Sequence, residues 1–140
     1  MKKLLTFFLS FLLVVSALIG YGYSKLCPMA APLAYPEAAQ TADITVTKSQ
    51  AAEAVAMSQE DVSILLGAIA SAMPTRKQSV NDAPYATPYY RIAILTEERT
   101  YVYYVYEERG VTYLESPYEG IYRIDDAVLK RLTLYFEKEI

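Results

Sequence analysis

Residues 89–106 read YYRIAILTEERTYVYYVY, and this stretch decides the fold. Two runs, Tyr89–Leu95 and Thr100–Tyr106, are dense in Tyr, Val and Ile, which favour the pleated, half-buried surface of a strand. Thr96-Glu97-Glu98-Arg99 between them is a charged turn, so the runs are expected to pair as antiparallel strands. The pattern continues downstream. Glu107–Gly110 is a turn ending in glycine, Val111–Ser116 a further strand, Pro117–Gly120 another turn, and Ile121–Ile124 a return. Asp125 or Asp126 then caps a last helix that turns Val128, Leu129, Leu132, Tyr135 and Phe136 inward.

Upstream lies a long loop, Pro74–Pro88, reading PTRKQSVNDAPYATP. Before it, Val62, Leu65, Leu66, Ile69 and Met73 recur at helical spacing and form one apolar stripe. Ser58 starts that helix, with Asp61 near the capping-box position, and Pro74 ends it. Asp43–Thr47 alternates polar and apolar residues as a strand, and Ala54–Met57 is a weaker partner joined to it through Lys48–Glu53. The expectation is an α+β fold. An antiparallel meander of five or six strands carries two helices packed on one face, preceded by an N-terminal signal or anchor helix.

That N-terminal segment is the clearest functional signal. Met1-Lys2-Lys3 is positive, Leu4–Ile19 is apolar apart from Thr6, Ser10 and Ser16, and small residues follow at Gly20, Gly22 and Ser24. This is the pattern of an export signal. Extended through Tyr23 the run reaches the ~20 residues of a bilayer span, with Tyr21 and Tyr23 as interfacial anchors. Residues 1–24 are therefore read either as a cleaved signal peptide or as an uncleaved membrane anchor. Both place the remainder outside the cytoplasmic membrane, since Lys2 and Lys3 hold the N-terminus in. Cys27 stands where a lipidated cysteine would, but Lys25 and Leu26 before it argue against lipidation. Residues 25–42, rich in Ala and Pro, are expected as an extended spacer, of which Cys27–Ala42 would reach roughly 40–50 Å at about 3.1 Å per residue. Residues 43–140 are then the single folded domain.

Composition excludes whole chemistries. The chain has no His and one Cys. That removes Ser-His-Asp and Cys-His catalysis, His-based metal sites, thiolate zinc and an internal disulfide. No Gly-rich phosphate loop is present, and no cofactor is expected. After residue 24, 16 acidic residues face 11 basic ones, a net charge near −5 that argues against nucleic acid as a partner. The pairs Glu97-Glu98, Glu107-Glu108 and Asp125-Asp126 fall in turns and at a helix cap, where charge serves solvation and capping rather than hydrolysis. Ten of the 14 Tyr lie between Tyr85 and Tyr122. In Tyr101–Tyr106 they fall on both strand faces. Either the outer face shows them to solvent as platforms for sugar or peptide, or they simply stabilise cross-strand pairs. Arg76 and Lys77 form the main basic cluster, suited to a carboxylate or phosphate, or else are a solvated connector.

Two blocks carry a family resemblance. Met73–Pro84, reading MPTRKQSVNDAP, and Glu115–Tyr122, reading ESPYEGIY, resemble the signature of an uncharacterised domain family of exported proteins and lipoproteins in Gram-positive bacteria. The likeness spans Asp43 to the last helix. The family has no assigned activity, and some relatives are fused to antibiotic-sensing membrane metallopeptidases, which implies sensing or binding rather than catalysis. The resemblance also suggests that the loop and the Tyr118–Tyr122 turn lie together.

The function expected is thus a non-catalytic extracytoplasmic binding or sensing module of the cell envelope, not an enzyme. Its ligand site would comprise Arg76, Lys77, Ser79, Asn81, Asp82, Tyr118 and Tyr122. The partner would be an envelope protein or an anionic, peptide or glycan ligand, with the membrane engaged through the N-terminal segment if uncleaved. The alternative is a small inhibitor or immunity-type protein whose long loop blocks a secreted hydrolase or toxin.

Overall fold

Tyr90 faces Val105 and Ile92 faces Tyr103 across an antiparallel pair in a computed structural model that describes residues 2–37, 40–50 and 54–137. Parts of the expected spacer (38–39), of the first hairpin's connection (51–53) and of the C-terminus (138–140) lie outside those residues. The elements are α1 (Lys2–Leu26), β1 (Thr41–Lys48), β2 (Val55–Ala56), α2 (Gln59–Ala70), β3 (Met73–Pro74), β4 (Tyr89–Thr96), β5 (Thr100–Glu108), β6 (Val111–Ser116), β7 (Gly120–Arg123) and α3 (Asp126–Glu137). The strands form one sheet in the order β2-β1-β4-β5-β6-β7-β3, antiparallel at every pairing. The architecture is α+β, with seven strands where the sequence suggested five or six.

The additional strand is β3. Met73 continues the apolar stripe of α2 in sequence, but α2 stops at Ala70 and Met73 pairs with Arg123. Proline disfavours helical backbone in the residue before it, which pushes Met73 into the extended region. Pro74 has no N–H to offer a further strand, and it sits at the sheet's outer edge where none is needed. Met73 is consequently 58% exposed rather than packed.

Local signals elsewhere act as read. The Ser58 hydroxyl accepts the Asp61 N–H at 3.2 Å and caps α2. Asp125 Oδ1 accepts the Ala127 N–H at 2.8 Å at the start of α3. Arg109 and Gly110 both have positive φ (53° and 75°), the backbone of a tight turn that suits the twist between β5 and β6.

The core lies on one face of the sheet. Ile44, Val46, Tyr90, Ile92, Ile94, Tyr103, Val105, Leu114 and Tyr122 from the strands join Leu65, Leu66 and Ile69 of α2 and Val128 and Leu132 of α3 in a single cluster. Tyr90 touches Phe136 and donates its hydroxyl to Thr133 at 3.1 Å, tying α3 to the sheet centre. Tyr135, expected inward, instead donates its hydroxyl to the Ala56 carbonyl at 2.7 Å and bridges α3 to β2.

The stretch expected to be a spacer is part of this domain. The Ala30 N–H donates to the Thr75 carbonyl at 2.9 Å. The Tyr122 and Tyr103 hydroxyls donate to the carbonyls of Ala31 (2.7 Å) and Ala34 (2.6 Å). Ala30 and Leu33 pack on the core, and Pro36 is fully buried. Residues 28–37 thus form a strap across the strands, covering core face that α2 and α3 leave open, and the folded unit begins well before Asp43. Its Ala and Pro content reads as a linker because an extended chain without internal hydrogen bonds has the same composition whether free or laid on a surface. What distinguishes the two is the pair of buried phenols waiting beneath.

Candidate functional site

The sheet's other face is covered by the loop between β3 and β4. Tyr104, Tyr106 and Glu115 project there, and they are only 8%, 4% and 4% exposed. The expectation of a solvent-facing tyrosine platform is therefore corrected: Tyr104 stacks edge-on against Tyr89, Tyr106 leans on Tyr113, and the loop closes over them. Cross-strand pairing of Tyr is the role these positions serve.

A buried polar knot holds the loop down. The Ser79 hydroxyl donates to Glu115 Oε1 at 2.6 Å and accepts the Tyr118 N–H at 3.1 Å. The Tyr118 hydroxyl donates to Asp82 Oδ1 at 2.8 Å. A carboxylate this deeply buried requires such donors, because leaving it unpaired would carry its whole desolvation cost. The Tyr106 phenol is pushed well above the ordinary range, first by burial and then by the Glu115 charge. Tyr118 holds a left-handed backbone (φ 63°), unusual for a residue with a side chain, and its phenol is raised by the hydrogen bond to Asp82. The loop and the turn before β7 do lie together.

The other candidates divide. Lys77 is ion-paired with Glu108 and sits 4.3 Å above the Tyr113 ring, which lowers the Glu108 carboxyl below its usual range. Its charge is largely answered within the chain. Arg76 is exposed; its guanidinium donates to the Cys27 carbonyl and lies 5.4 Å from the Tyr23 ring, gripping the end of α1. Asn81 accepts weakly from Tyr85 at 3.4 Å. Tyr122 does not join them. Strand alternation turns it to the helix face, where it is 1% exposed and bonded to the strap.

Sequence reasoning also missed residues. Glu115 was one carboxylate among many; its signal is a charge inside the strand run Val111–Ser116, directly after Leu114, and the structure sets it opposite Ile121 of β7. Gly120 is the second. A Cβ there would lie 2.5 Å from the Ala30 Cβ, so the strap can cross this point only over glycine.

With this geometry in view, the two sequence blocks acquire a physical meaning: one supplies Ser79 and Asp82, the other Glu115, Tyr118 and Gly120. The family model described as a domain of unknown function, DUF5301, matches residues 29–123. The chain belongs to that family. The DUF5301 match starts at the strap rather than at β1, in agreement with the packing of residues 30–36. A solved structure similar to this chain is an NMR structure of a protein from Ruminococcus gnavus. It is 30% identical, covers 67% of this chain and 92% of its own, and superposes with a TM-score of 0.55. No curated protein matches.

The buried phenols predict a one-sided pH response. Tyr103, raised chiefly by burial, and Tyr106 both titrate above the ordinary phenol value in the folded state. Up to about pH 10 they are neutral whether folded or not, so their contribution to stability is complete. Above it the unfolded chain ionises first and stability falls as pH rises. Denaturation midpoints measured from neutral pH to strongly alkaline should be flat and then decline, with a shallower decline in Tyr106→Phe.

Proposed function

We propose that the chain is a non-catalytic binding or sensing module of the cell envelope, displayed outside the cytoplasmic membrane. The observation that carries this reading is the loop surface, which is rigidly held from beneath and open above. Ser79 and Glu115 fix it from inside, while Val80 (63% exposed) and Tyr85 (88%) on the loop and Tyr118 (64%) on the turn bonded to it stand exposed. A recognition surface ordered in advance loses less conformational entropy on binding. Display outside the membrane is supported by α1, whose Lys3–Leu26 stretch is long and apolar enough to cross a bilayer and has none of its most apolar window buried. The absence of His from the sequence supports binding over catalysis. The inhibitor reading has less support, because a loop bonded down along Lys77, Ser79 and Asp82 is poorly shaped to plug a cleft.

The test is photo-crosslinking in cells expressing the full chain, with the reactive group at Val80 or, as control, at Leu95 on β4. An adduct with one envelope component from position 80 and none from 95 is expected. Equal labelling at both, or none at 80, would remove the loop as the binding surface.

A further inference from the structure

The strap sets the height of the domain above any membrane that α1 enters. Helix α1 ends at Leu26, and Ala30 is already hydrogen-bonded to Thr75. Only residues 27–29 lie between, so the two Cα atoms are at most about 14 Å apart even if fully extended. Arg76 shortens this tether by holding the Cys27 carbonyl and the Tyr23 ring. The 24 residues of the apolar stretch span about 36 Å at 1.5 Å per residue, against a hydrocarbon core of about 30 Å. The helix end therefore reaches into the headgroup layer, which adds only about 5–8 Å per leaflet.

The surface around this exit is apolar and aromatic. Among the described residues outside α1, the exposed large apolar side chains are Met29, Tyr35, Ile64, Met73, Val80, Tyr85, Leu95, Tyr118 and Leu134. Five of the nine, Met29, Met73, Val80, Tyr85 and Tyr118, sit on or beside the strap's start, β3 and the loop, linked by the Ala30–Thr75, Ser79–Tyr118, Asp82–Tyr118 and Asn81–Tyr85 bonds. Arg76, on the same loop, holds the Cys27 carbonyl at the helix exit, and Lys25 and Tyr21 pair just inside the helix end. Tyr with Arg and Lys beside exposed aliphatic groups is the composition that settles at a lipid interface, rings at headgroup depth and cations near phosphate.

We infer that the partner of the loop surface is the lipid bilayer itself. The β3 edge and the 75–85 loop rest in the outer headgroup layer, with Val80, Tyr85 and Tyr118 inserted at its surface and Arg76 near lipid phosphate. The inference rests on the reading of the chain as an envelope module, with α1 retained as its anchor. It fixes the domain's orientation: the β3 edge is down, and β4, four strand spacings or about 19 Å away, is clear of the membrane.

The chain contains no Trp, so a single introduced one reports its own position. Full-length Val80→Trp, Tyr85→Trp and Leu95→Trp would be reconstituted into vesicles of phosphatidylglycerol and phosphatidylethanolamine brominated near the glycerol end. Strong quenching at 80 and 85 with none at 95 is the expected result. Vesicle-bound protein with no quenching at 80 or 85, or equal quenching at all three, overturns lipid docking but leaves the anchored module intact. Protein that fails to float with the vesicles overturns the anchor and the docking with it. An adduct from position 80 to a protein or glycan instead of lipid would keep the binding surface and reject this partner.

Discussion

A chain that begins at Asp43 is expected to lose several kcal/mol of stability relative to one that begins at Pro28, although the described residues among those removed contain no regular secondary structure beyond the single turn at Gln40 and the first residues of β1. The reason is what lies underneath. Tyr103 and Tyr122 are each 1% exposed, and their hydroxyls spend their hydrogen bonds on Ala34 and Ala31. Removing the strap uncovers the apolar surface beneath Leu33 and Pro36 and leaves two phenols to find water, at about 1–3 kcal/mol for each group left unsatisfied. Apolar burial lost with Leu33 and Pro36 adds a similar amount, at roughly 25 cal/mol per Å². Set against a typical total of about 5–15 kcal/mol, this loss is enough to leave the shorter chain partly unfolded at room temperature. Chemical denaturation followed by circular dichroism measures the difference; stabilities within about 1 kcal/mol of each other would mean that the strap is only laid on the surface. Gly120→Ala tests the same contact from the sheet side. Its new methyl would meet Ala30, whose own position is fixed by the bond to Thr75, so the strap has to lift.

Glu115→Ala is expected to have the second large effect, and to show it first in the loop. Glu115 accepts the Ser79 hydroxyl and lies close enough to raise the Tyr106 phenol, and Ser79 in turn holds the Tyr118 backbone. Without the carboxylate, the buried Ser79 hydroxyl loses its acceptor and a small void opens, a loss of about 2–4 kcal/mol. Ser79→Ala removes one donor from a buried charge and should cost about 1.5–3 kcal/mol. The distinguishing readout is trypsin. Arg76 and Lys77 are adjacent cleavage points on the loop, and a released loop is cut without global unfolding. Cleavage there should accelerate in Glu115→Ala and Ser79→Ala well before the denaturation midpoint. Cleavage that rises only in step with global unfolding would show that the knot is not what holds the loop.

Much of the strand order was legible because it is written locally. Alternation in Tyr89–Leu95 and Val111–Ser116, the turn at Arg109-Gly110 and the caps at Ser58 and Asp125 each depend on neighbours a few residues away. The candidate site was legible in part. The two sequence blocks pointed to Ser79, Asp82 and Tyr118, which the structure joins across separations of 36–39 residues. They also pointed to Tyr122, which it places on the opposite face. A motif records which residues act in one region of the chain, and alternation along a strand sends its neighbours to opposite sides.

The sequence by itself determined the apolar N-terminal helix, the α+β class, the exclusion of histidine and thiolate chemistry, and the two helices' starting points, because periodicity, composition and capping are properties of contiguous residues. The tertiary structure alone decided that residues 28–37 are a strap, that the loop is bonded down over Glu115, and that Gly120 must be glycine. Each of these is a contact between segments far apart in sequence, where one side is an extended backbone without a pattern of its own. Its meaning lies in the buried phenol, carboxylate or bare Cα on the other side.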